Sequence, residues 1–161
     1  MTKFQELRKE VRNRIEYEDK YWDSLYEIVK NFGGGFMDFL GLEDNAATDE
    51  NGNKIGIINI GRNREGRFER CAYWQHDREG RNLYFQLKMN LPSEEGMKSE
   101  VSIDVRVALS KPDAYGDEVS VSTSSMHSPI LCEMKDGRVD LTPFYEALFQ
   151  ELKNLLDLQS L

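Results

Sequence analysis

Cysteine occurs only twice in this chain, at Cys71 and Cys132, which excludes a disulfide scaffold as the source of its stability. Histidine is equally scarce. His76 and His127 form no C-x-x-C or H-x-x-x-H spacing with each other or with the cysteines, so no metal site is expected. Apolar runs are only a few residues long, too short to span a bilayer. The opening Met1-Thr2-Lys3-Phe4-Gln5-Glu6 has no apolar stretch behind a basic end, so no secretory signal is expected, and a reducing cytoplasm is the expected compartment. Gly33-Gly34-Gly35 follows a helical pattern instead of joining a strand to a helix, which removes it as a phosphate cradle. No cofactor is expected. Proline is also rare, with four copies, and no Pro/Ser-rich linker divides residues 1–161, so a single α+β domain is expected.

What the chain has in excess is negative charge. Its 29 Asp and Glu outnumber its 21 Lys and Arg, for a net charge of −8 over 161 residues. Residues 36–53 hold Asp38, Glu43, Asp44, Asp49 and Glu50 with no cation among them. The arginines at 62, 64, 67, 70, 78 and 81 are interleaved with Glu65, Glu69, Asp77 and Glu79. Affinity for nucleic acid depends on concentrated cations that release condensed counterions, so this composition points away from DNA and RNA. A protein partner of basic or mixed charge is electrostatically easier to accept.

Two periodicities organise the chain. Phe4, Leu7, Val11, Ile15, Trp22, Leu25, Val29 and Phe32 recur at steps of three, four and seven, which predicts a long N-terminal helix capped by Thr2. The glycine triplet is expected to end it, with Phe36–Leu42 as a separate short turn. From Lys54 the period becomes two. The pattern predicts an antiparallel meander of about six strands, at 55–61, 67–76, 82–91, 100–109, 118–125 and 130–135, with a seventh open at 138–141. Thr142 and Pro143 then open a C-terminal helix running to about Leu158 and packed on one sheet face.

Asn63-Arg64-Glu65-Gly66 and Asp77-Arg78-Glu79-Gly80 read as four-residue hairpin loops. With that loop length Trp74 opposes Leu83 and Ala72 opposes Phe85 on an apolar face. Tyr73 then opposes Tyr84, Cys71 opposes Gln86, and Glu69 opposes Lys88 on a mixed face. The first loop sets Ile58 opposite Cys71 and Ile60 opposite Glu69. The expected partner-binding surface therefore gathers Ile58, Ile60, Cys71, Tyr73 and Tyr84, rimmed by Arg67 and Lys88. Tyrosines and aliphatics inside a charged rim suit a non-enzymatic module that occludes a protein partner, as an inhibitor, an immunity or anti-defence protein, or a dedicated chaperone. A homodimer through the long helix or a strand edge is also open.

One motif suggests chemistry instead. Pro112-Asp113 followed by Glu133-Met134-Lys135 resembles the metal-dependent PD-(D/E)xK nucleases. The resemblance implies a Mg²⁺ held by Asp113 and Glu133, with Lys135 positioning the attacking water. It covers residues 112–135 only, and the chain departs from the pattern: Asp113 lies in a Pro/Gly-containing loop, and Lys135 runs directly into an Asp136-Gly137 turn. No catalytic residue is therefore assigned in the main reading.

Overall fold

A computed structural model describes residues 1–94 and 97–159. Among these residues a 38-residue helix, α1 (Lys3–Leu40), leads into ten strands and a closing helix, α2 (Thr142–Gln159). The strands are β1 (Ala47–Thr48), β2 (Lys54–Ile55), β3 (Ile58–Arg64), β4 (Arg67–Glu69), β5 (Asp77–Glu79), β6 (Asn82–Pro92), β7 (Ser99–Ser110), β8 (Glu118–Thr123), β9 (Ile130–Lys135) and β10 (Arg138–Val139). Strands β1 and β2 form a small ribbon. The other eight make one antiparallel sheet in the order β10-β9-β8-β7-β6-β3-β4, with β5 sharing the β3 side of β6. The α+β class, the long first helix, the antiparallel sheet and the terminal helix are as the periodicities predict.

The centre of the sheet follows directly from alternation. Leu83, Phe85, Leu87 and Met89 of β6 are buried, as are Ile103, Val105, Val107 and Leu109 of β7. They pair as Phe85 with Val107, Leu87 with Val105 and Met89 with Ile103, while Lys88 meets Asp104 on the opposite face. Phe32 and Phe36 of α1 and Phe144 and Leu148 of α2 close this apolar face and are fully buried. The Phe32 ring sits 4.9 Å from Phe85 and 6.0 Å from Phe144, so both helices share one core with the sheet.

Three sequence expectations are corrected. First, α1 does not stop at the glycines; it runs through Gly33-Gly34-Gly35 and ends at Gly41, whose φ of 72° forms a left-handed cap. Three helical glycines cost roughly 1 kcal/mol each. Burial of Phe32 and Phe36 on either side offsets this, and the missing side chains let β3 and α2 approach. Second, segment 67–76 is not one strand: it holds β4, a single 3-10 turn at Tyr73–Gln75, and the lead into β5. Third, the hairpins close through two residues instead of four. Arg64 pairs with Arg67 around Glu65 (φ 53°) and Gly66 (φ 81°), the signature of a type I′ turn, and Glu79 pairs with Asn82 around Gly80 (φ 61°). Arg78, not Trp74, therefore opposes Leu83, and Asp77, not Tyr73, opposes Tyr84. The frame moves by four residues. Because that shift is even, β6 keeps its inward set although its neighbour changes.

Candidate functional site

The corrected frame separates the residues expected to form one contact surface. Ile58 and Ile60 pair with Met89 and Leu87 on the helix-covered face. Ile58 is buried, and Ile60 lies so near α1 that a methyl on Gly33 would sit 3.5 Å from it. Tyr73 is also on the helix side, edge-on to Tyr26 at 5.5 Å with the Lys30 ammonium 4.1 Å from its ring. Arg67 is exposed at a hairpin end. Tyr84 and Lys88 alone lie on the open face, where the Arg106 guanidinium covers the Tyr84 ring at 3.9 Å and Lys88 stands over Phe68 at 5.7 Å. These seven residues do not share a surface, because β3 takes the place beside β6 expected for segment 67–76, which turns Ile58 and Ile60 to the helix side, and the 3-10 turn folds Tyr73 back against α1.

Cys71 is half-buried, and its Sγ lies 3.6 Å from Nδ1 of His76. His76, which directly precedes the Asp77-Arg78-Glu79-Gly80 segment, is buried at 6% exposure beside Phe85. Burial holds the imidazole below its ordinary pKa and raises that of the thiol. Both effects favour a neutral pair, the opposite of an activated thiolate–imidazolium couple. The consequence is one of stability. An imidazole whose folded pKa is depressed resists protonation only in the native state, so its contribution is complete above the unfolded value near 6.5 and is lost as the pH falls below it. Urea unfolding at pH 7.5 and at pH 5 will show a smaller loss on acidification in His76→Gln than in the parent chain. An equal loss in both would show that His76 does not carry it.

The nuclease-like residues are brought only partly together. Asp113 and Glu133 line one shallow hollow with Asp117 and Glu118, while Lys135 lies outside that lining, at the end of β9 before the Asp136-Gly137 turn. Asp113 is engaged locally: its Oδ1 accepts the Tyr115 N–H at 3.1 Å. Among the described residues no three His, Cys, Asp or Glu side chains are grouped to hold a metal ion. The larger groove along α1, from Lys20 to Asp38, mixes Asp23, Glu27 and Asp117 with Lys20, Lys30 and Arg138. No buried side-chain polar atom among the described residues lacks a partner that a ligand would satisfy.

The unusual feature is the start of α1. Residues 1–16 are all exposed, and Lys3–Glu16 form a helical arm about 21 Å long at ~1.5 Å per residue. Along it Phe4, Leu7, Val11 and Ile15 are 68%, 64%, 57% and 54% exposed. Leu7 and Leu25, like Val11 and Val29, are 18 residues apart, five full turns at 3.6 residues per turn. The face that buries Leu25 and Val29 against the sheet is thus the face that presents Leu7 and Val11 to solvent. Helix formation is built into the arm. A capping box closes its first turn, with the Gln5 N–H donating to Thr2 Oγ1 at 3.1 Å and the Thr2 N–H to Gln5 Oε1 at 2.8 Å. Arg14 bonds Glu18 one turn on, at 3.1 Å.

Tyr17 marks the root of the arm. Its hydroxyl accepts the Ala114 N–H at 3.1 Å, and its ring meets Tyr115 edge-on at 5.5 Å. Tyr21 follows, hydrogen-bonding the Arg81 carbonyl and accepting the Lys111 N–H at 3.2 Å. The ends of β6 and β7 are thereby tied to α1 at one level, beyond which the sheet stops and the helix continues. Hydrophobic spacing alone identifies the stripe but not its exposure, because a stripe over a sheet and a stripe past its edge have the same period.

Charge divides the molecule at this level. Lys3, Arg8, Lys9, Arg12 and Arg14 against Glu6, Glu10 and Glu16 give residues 2–16 a net +2, which leaves −10 on the remainder. No family model, curated protein or solved structure matches the chain. No helix among the described residues is long and apolar enough to cross a membrane.

Proposed function

We propose that this chain is a non-enzymatic, acidic protein-binding module of the inhibitor, immunity or chaperone kind, and that it engages protein through the α1 arm. The observation that carries the reading is the row Phe4, Leu7, Val11 and Ile15, exposed on a helix whose first turn is capped. Four large apolar side chains aligned in solvent are costly unless something covers them, and contiguous apolar patches with charged borders mark interaction sites. An amphipathic helix reads a partner through anchors drawn from i, i+3, i+4 and i+7, and positions 4, 7 and 11 supply i, i+3 and i+7. The charges flanking it, five basic and three acidic, suit a partner surface of mixed charge.

A photoreactive amino acid in place of Leu7, introduced in the producing cell, tests this. Irradiation is expected to yield a discrete protein adduct that disappears when Val11 and Ile15 are both changed to Glu. An arm that yields no protein adduct would sink the reading.

A further inference from the structure

We infer that Lys111 is a nucleophilic amine that captures a neutral aldehyde as an imine inside the groove along α1. The site lies apart from the exposed row of the arm and does not depend on what covers that row.

Lys111 is the only lysine of the chain that is buried, at 8% exposure. Buried lysines are normally paired with a carboxylate, because the interior solvates an ammonium poorly. Among the described residues, no Asp or Glu lies within ion-pair distance of this one. Its protein partner is the Ala114 carbonyl, which accepts from Nζ at 3.2 Å. An ammonium has three protons to donate, so this setting suits a neutral amine better. Burial holds Lys111 below the ordinary lysine range, and the Lys20 charge adds to the effect, while Asp113, Asp117 and Tyr17 pull the other way.

The amine is also held in place and reachable. Lys111 directly follows β7, and its N–H donates to the Tyr21 hydroxyl at 3.2 Å. Three residues on, the Ala114 N–H donates to the Tyr17 hydroxyl at 3.1 Å, so the loop is pinned to α1 at two points. Lys111 lines the groove of about 930 Å³ that runs between α1, this loop and residues 137–142. That volume lies within the ~300–1,000 Å³ of small-molecule sites. Lys20 and Ser24, one turn apart on α1, share the lining.

A desolvated lysine beside a second cation, in a cleft, is the arrangement that makes a side-chain amine attack carbonyls. Nζ adds to the carbonyl carbon, and its two protons leave with the carbonyl oxygen as water. No oxidant or reductant is consumed. Acidic and basic side chains alternate along the groove, which concentrates no charge of either sign for an ionic ligand. Ile28 and Val119 in the lining offer apolar surface to the chain of an uncharged aldehyde. If Nζ served only to brace its own loop through Ala114, burial would make it the slowest lysine to react.

Treating the full chain with limiting propanal and cyanoborohydride, then mapping the alkylated peptides, separates these outcomes. At pH 7 Lys111 is expected to be modified at least fivefold faster than any exposed lysine. The preference is expected to widen toward pH 6 and to shrink near pH 10, where the exposed lysines also become amines. Hexanal in place of propanal is expected to widen it further, since a longer chain gains apolar contact in the groove. Ser24→Trp adds bulk to the lining and is expected to slow Lys111 at least fivefold while the other lysines keep their rates; an unchanged melting temperature shows that the fold is intact. A Lys111 slower than the exposed lysines at pH 7, a preference that narrows with hexanal, or a rate that ignores Ser24→Trp overturns the inference.

Discussion

Alanine in place of Leu25 lowers the free energy of unfolding by about 3–5 kcal/mol, while alanine in place of Leu7, on the same helix face, leaves it within about 0.5 kcal/mol. The two leucines are separated by five turns of α1, yet Leu25 is 0% exposed and Leu7 is 64% exposed. Removing three carbons at position 25 loses their transfer energy and opens a cavity between α1 and the sheet, which rigid neighbours fill only in part. At position 7 there is no surrounding structure to collapse. Leucine and alanine also have nearly the same helix propensity, so little remains to change. In a chain of this size each kcal/mol moves the melting temperature by roughly 2–4 °C, which puts the Leu25→Ala shift on the order of 10 °C. Calorimetry on dilute protein, where self-association does not contribute, separates the pair. A comparable loss at both positions would mean that residues 1–16 fold back onto the body, and the arm would cease to exist as a binding element.

The contrast between these leucines also shows what was legible in advance. Periodicity places Phe4 through Phe32 on one helical stripe and Leu83 through Met89 on one strand face, because burial selects side chains at the spacing of the backbone. The same logic keeps Phe85 and Leu87 inward even though their neighbouring hairpin is framed differently. Turn length was not legible. Asn63-Arg64-Glu65-Gly66 offers its only glycine at the fourth position, and the two-residue turn needs a left-handed glutamate, Glu65 at φ 53°. Closing the β3–β4 hairpin supplies the energy for that conformation, through pairing of Arg62 with Glu69 and their 2.8 Å ion pair. Nothing local announces it. The expected contact surface is broken up for a different reason: β3, not segment 67–76, lies beside β6, so Ile58 and Ile60 join Met89 and Leu87 on the helix-covered face, and the choice of sheet neighbour is a tertiary outcome that local chemistry does not specify.

Helical glycines give the second large effect, and adjacent positions should respond with opposite signs. Gly34→Ala is expected to stabilise the chain by up to about 1 kcal/mol, since an interior helical glycine costs about that much relative to alanine. A methyl there meets nothing within 4 Å. Gly35→Ala gains the same propensity but places its methyl 2.5 Å from the Tyr145 hydroxyl oxygen. That hydroxyl is buried and donates to the Phe32 carbonyl at 3.0 Å, and burial pushes its pKa upward so that it stays protonated. The ring has no room to swing away, being stacked 5.3 Å from Phe36 with Phe39 at 5.7 Å. Relief therefore requires α1 and α2 to separate or the hydrogen bond to break, a net loss of about 1–3 kcal/mol. The hydroxyl is the atom that collides, because the ring carbons Cζ and Cε2 lie at an acceptable 3.4 and 3.5 Å. In a Tyr145→Phe background Gly35→Ala should consequently cost much less than it does alone, a non-additivity that denaturant unfolding of the four chains in the cycle measures directly. Strict additivity would show that the glycine at position 35 is not there to admit Tyr145, and the passage of α1 through three glycines would need a cause other than the approach of α2.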